Sequence, residues 1–140
     1  MTTGAVLLLA FAFSACSKSS SSSNPVSPPA TGNSSISFHS QIQPIFTANC
    51  AVSSCHAGPT PQQGMDLSSG KAYASIVNVK SIEVPTYYRV KPSYSDSSFL
   101  YFKITGNSIA GIRMPYQRAP LSSSDIQTIK NWIDQGAQNN

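Results

Sequence analysis

Three side chains with chemistry to offer lie in Asn49–Gly58, NCAVSSCHAG: the thiols of Cys50 and Cys55 and the imidazole of His56. Two thiols in an oxidising compartment ordinarily close a disulfide, and cysteine number alone favours that outcome. An imidazole directly after the second thiol opens a different chemistry. Two sulfurs can form thioether bonds to the vinyl groups of a haem, and a histidine next in the chain then reaches the iron from the proximal side. The adjacency of Cys55 and His56 is the informative feature.

The common arrangement, C-x-x-C-H, sets its cysteines three apart, which at about 100° per residue keeps both on one face of a helical turn. Cys50 and Cys55 are five apart, and an ideal helix would separate them by about 140°. Ala51-Val52-Ser53-Ser54 is therefore expected to bulge outward as a loop, helped by two serines that readily bond to nearby main chain. The resulting C-x-x-x-x-C-H resembles a variant of the haem attachment site of c-type cytochromes.

The compartment follows from the start of the chain. Gly4–Phe13, GAVLLLAFAF, is too short to cross a bilayer as a helix but has the length of the apolar core of an export signal. Phe13-Ser14-Ala15-Cys16 then resembles the lipobox of bacterial lipoproteins, which implies removal of residues 1–15 and lipidation of Cys16. Several acyl chains on one cysteine give stable attachment without a spanning helix. Residues 17–35, SKSSSSSNPVSPPATGNSS, hold too few apolar side chains to offset the entropy of ordering. With Cys16 they read as a flexible tether, coil-like in its Ser-rich half and stiffer in its Pro-containing half.

Residues 36–140 remain as one domain of about a hundred residues. A core that small commonly needs a staple, a metal or a cofactor. The formal charge is +4, but the nine Lys and Arg are scattered singly, so no nucleic-acid-binding stripe is expected. Only five acidic residues occur, dispersed along the chain, and neither a nucleophile elbow nor a nucleotide fingerprint is present. General acid–base catalysis would have few participants, so an enzyme is not expected.

Helices must position the thiols and the imidazole. Ser40–Ala48, SQIQPIFTA, sets Ile42, Ile45 and Phe46 at helical spacing, with Ser40 a candidate cap and Pro44 tolerated in the first turn. At the other end Leu121–Ala137, LSSSDIQTIKNWIDQGA, opens on a capping-box-like Ser122 and Asp125. It carries a stripe of Ile126, Ile129, Trp132 and Ile133 and stops at Gly136. Lys71–Val79 and Ser97–Ile104 read as further short helices, the second turning Phe99, Leu100 and Phe102 or Ile104 inward.

From Phe38 to Ala137 the chain resembles the single-haem cytochrome c domains of bacterial lipoproteins, through "QPIFTANC" and "CH", then "RMP", then "IKNWIDQGA". The resemblance implies an all-α, small cytochrome c-like fold around one covalently bound haem c, with Cys50 and Cys55 as attachment sites and His56 as proximal ligand. In related cytochromes the methionine of such an M-P segment is the distal ligand, which implies Met114. Gly111 before it permits a turn and Pro115 after it favours an extended Met114, although most methionines only fill core. Met65 and His39 are weaker candidates for that position. Tyr87 and Tyr88 are candidates to wall the haem, and Arg89 to pair with a propionate.

Iron held by His56 and Met114 has no open position for substrate, and the implied function is electron transfer in the bacterial cell envelope. The protein would be a periplasmic or outer-membrane lipoprotein whose partners are redox proteins of the envelope. Other readings differ in class: a colourless binding or structural module with a Cys50–Cys55 disulfide, a haem domain of a larger oxidoreductase complex, or, without Met114 ligation, a ligand-sensing or peroxidatic haem protein.

Overall fold

The computed structural model describes Met1 and residues 34–140. The export segment, Cys16 and most of the tether lie outside the described residues. The chain divides into Met1–Gly32 and Asn33–Asn140, and the helical domain is the second unit.

A helix does precede Cys50, but it begins before Ser40. One π-type turn, Phe38–Ile42, runs directly into α1, Gln43–Asn49. Ser37 is the cap, its Oγ accepting the Ser40 N–H at 3.3 Å. The cause is tertiary. Asn140 Oδ1 accepts the Phe38 N–H, and the Asn140 main-chain oxygen accepts the His39 N–H, both at 2.9 Å. Donors that a helix start leaves unpaired are thereby satisfied. The extra turn carries Phe38 into the core, while Pro44 falls early in α1, where a missing N–H is tolerated.

The second helix, α2, covers only Ala72–Ile76, shorter than the expected Lys71–Val79. Val77 is extended and bridges Val90, and the Asn78 N–H donates to the Val90 carbonyl at 3.0 Å. Pairing with this distant segment replaces the last helical turn. Helix α3, Phe99–Thr105, ends at Gly106 in the left-handed conformation, with Phe99, Leu100, Phe102 and Ile104 all buried. Helix α4 runs from Ser123 to Asp134; the Ser122 Oγ accepts the Asp125 N–H at 3.0 Å, as its capping pattern predicts.

The stripe of α4 buries Ile129, Trp132 and Ile133 against Phe38, Ile42 and Phe46 from the first helix. The Phe38 and Trp132 rings lie 5.3 Å apart, and the Trp132 Nε1–H donates to the Gln138 carbonyl at 2.9 Å, so the indole is buried without an orphaned donor. Leu100 and Ile104 of α3 and Ile76 of α2 complete this core. A smaller apolar cluster gathers Phe99, Phe102 and Ala110 with Val84 and Tyr87. Only isolated bridges join extended segments among the described residues, and the fold is all-α. No helix among the described residues is long and apolar enough to cross a membrane.

Candidate functional site

Helix α1 delivers Cys50 to its own C-terminus, where the N–H groups of Cys50 and Ala51 both donate to the Phe46 carbonyl at 2.8 Å. The chain then leaves the helix, as the widened spacing predicts. Ser53 and Ser54 are exposed, and Ser54 takes a left-handed φ of +67°. The Cys55 N–H donates to the Val52 carbonyl at 3.1 Å, and the His56 N–H returns to the Cys50 carbonyl at 3.2 Å. The intervening residues therefore form a closed outward turn, with Cys50 and Cys55–His56 at its base.

The segment after the turn is tied to the following loop at two points. The Gln62 N–H donates to the Cys55 carbonyl and the Leu67 N–H to the His56 carbonyl, each at 2.7 Å. Between these ties the Met65 carbonyl lies 3.2 Å from His56 Nδ1. A carbonyl only accepts, so this contact makes Nδ1 the protonated nitrogen and leaves the Nε2 lone pair free. Burial holds the His56 pKa below the ordinary histidine value, against the upward pull of the hydrogen bonds at Met65 and Gln62. The imidazole is thus neutral at pH 7, the form a metal requires.

Burial also pushes the Cys50 thiol up to about 11; nearby Arg118 opposes the shift and Cys55 adds to it. Among the described residues Cys50 and Cys55 are the cysteines, and no disulfide joins them. A thiol with so high a pKa is a weak nucleophile at neutral pH, unlike the low-pKa cysteines of thiol–disulfide enzymes.

Met114 comes from a separate segment. Its N–H donates to the Lys103 carbonyl at the end of α3, at 2.9 Å, and its side chain is half-buried. A cavity of about 510 Å³ brings Cys50, Cys55, His56 and Met114 together, lined also by Met65, Leu67, Phe99, Leu100 and Ile104. That volume suits a ligand site, for which roughly 300–1,000 Å³ is usual. Met65 reaches the cavity from the segment whose carbonyl holds His56. His39, by contrast, is exposed and borders a different small hollow beside Gly70 and Tyr73.

The middle segment departs from expectation. Tyr87 and Tyr88 do not line the cavity: Tyr87 packs on Phe99 and Phe102, and Tyr88 lies beneath the Lys80 ammonium. Main-chain pairing at Lys80–Tyr88 and Tyr88–Ser98 sets which way these rings face. Arg89 does line the cavity and is only 7% exposed. Among the described residues no carboxylate pairs with it.

Two cavity residues had no signal in the sequence. Lys103 sits on α3 and pairs with Glu83 at 2.5 Å. Arg118 donates through Nη1 to the Asn49 carbonyl at 3.1 Å, linking the Met114 segment to the end of α1. Each is a single cation among scattered cations, so only the folded arrangement picks it out. No protein-family model, no curated protein and no solved structure matches the chain.

Proposed function

We propose that this protein is a c-type cytochrome that carries electrons, with one haem c in the cavity. The observation that supports this reading best is the meeting of two thiols, a neutral imidazole and a thioether, from two separate segments, in one largely apolar cavity. The residues fit the group. The turn between Cys50 and Cys55 closes on itself, so the widened spacing leaves both thiols at one cavity wall. His56 offers Nε2 because Met65 holds Nδ1. Among the described residues neither Arg89 nor Arg118 is paired with a carboxylate, and their positive charge at the cavity suits a ligand bearing carboxylates.

When bound, a haem supplies one-electron exchange between ferrous and ferric iron. The chain's own residues do the rest. Cys50 and Cys55 would hold the group covalently through their sulfurs, and His56 and Met114 would ligate its iron, leaving no place on it for substrate. Leu67, Phe99, Leu100 and Ile104 keep water from the site, and thioether ligation with burial raises the potential relative to two imidazoles. Met114 is preferred over Met65 as the distal ligand because the Met65 main chain is engaged with His56 itself.

The apolar run before Cys16 supports export and lipid anchoring, with the domain in the cell envelope facing redox partner proteins. A haem stain on denatured protein, made in a host with cytochrome c maturation machinery, tests the proposal. Pigment that stays with the polypeptide is expected; a colourless chain with Cys50 and Cys55 oxidised to each other refutes it.

A further inference from the structure

Arg89 is a buried cation whose donors point at main chain. Its Nη1 donates to the Ser75 carbonyl at 2.7 Å and to the Gly64 carbonyl at 3.5 Å, and its Nη2 donates to the Gln63 carbonyl. Two of these acceptors belong to one short turn, Gln62–Gly64, in which Gln63 and Gly64 both take left-handed φ values, +57° and +58°. A non-glycine residue such as Gln63 is strained in that conformation, so the turn needs support from outside itself. Arg89 is that support, and through Ser75 it ties the turn to α2. The residue that leaves the turn is Met65, whose carbonyl accepts from His56 Nδ1.

We infer that Arg89 is a positioning residue for the axial histidine: its guanidinium fork holds the Gln62–Gly64 turn so that the Met65 carbonyl stays on His56 Nδ1. The inference rests on the cytochrome reading and adds to it the residue that sets the proximal imidazole. The fork is essential to the argument. A lysine keeps the charge but cannot reach three carbonyls on two segments at once.

The test uses the full chain carrying haem, with Arg89→Lys and Arg89→Gln beside the unsubstituted protein. Solvent exchange of the His56 Nδ1 proton is followed by NMR in the reduced state, and the reduction potential by spectroelectrochemical titration. Both variants should exchange that proton about tenfold faster, the value of one hydrogen bond expressed as a rate. Only Arg89→Gln should also show the larger fall in potential, because it alone removes positive charge from the cavity wall. Unchanged proton exchange in pigmented Arg89→Lys overturns the inference while leaving the cytochrome reading intact, and that milder variant decides the matter if Arg89→Gln fails to fold. A colourless unsubstituted protein overturns both.

Discussion

The Met65 carbonyl lies 3.2 Å from His56 Nδ1, so a residue nine positions along the chain orients the imidazole beside Cys55. The backbone of Met65 thus has a task that its side chain's chemistry does not announce. The two cavity methionines are therefore placed differently, one engaged with His56 through its main chain and the other lining the cavity from a separate segment.

Substitution tells the two methionines apart. Met114→Ala should retain covalent pigment but lose the sulfur-to-iron absorption band and bind added imidazole, whereas Met65→Leu should keep the band. Met114→His should lower the reduction potential, since a second imidazole replaces the thioether. Optical spectra and a redox titration check these outcomes; loss of the band in Met65→Leu would exchange the assignments.

The joint between the first and last helices is a central part of the core. Trp132 is fully buried and its ring packs on Phe38. Trp132→Ala should cost about 3–5 kcal/mol, a large share of the roughly 5–15 kcal/mol available to a domain of this size. Urea denaturation followed by circular dichroism measures it.

The turn between the thiols makes a local prediction. Ser54 is exposed with a φ of +67°, a conformation in which a β-branched side chain is strained. Ser54→Val should destabilise the domain by about 1–2 kcal/mol, and Ser54→Gly should not. The pair is compared by midpoint of thermal unfolding.

Acid behaviour should follow Asp66. Hydrogen bonds from the Ser68 hydroxyl and N–H, and then from Lys71, hold its pKa at about 2. A carboxylate depressed on folding contributes stability above its unfolded pKa and loses that contribution as pH falls toward the folded value. Stability should therefore decline between about pH 4 and pH 2, and Asp66→Asn should flatten that part of the profile. Salt should weaken the Lys71 contribution, because the Lys71 side chain is open to solvent.

Much of the scaffold was legible in the chain because its signals are local. Ser122 caps α4 through a residue three positions on, and the buried residues of α3 and α4 recur at the helical period. The outward turn between Cys50 and Cys55 followed from helix geometry alone. The true start of the first helix was not legible, because its unpaired donors are met by Asn140, about a hundred residues away along the chain. Nor was the early end of α2, which depends on Val90, or the placement of Tyr87 and Tyr88 away from the cavity.

By itself the sequence determined which stretches form helices and which side chains carry chemistry, since spacing, local caps and residue type are properties of neighbours in the chain. Tertiary structure alone decided which of those side chains meet. Met114 reaches the cavity of His56 while His39 does not, and Arg89 turns its fork onto the carbonyls of Gln63, Gly64 and Ser75. The physical reason is that a buried donor must find an acceptor, and the acceptors it finds belong to segments brought close only when the apolar core condenses.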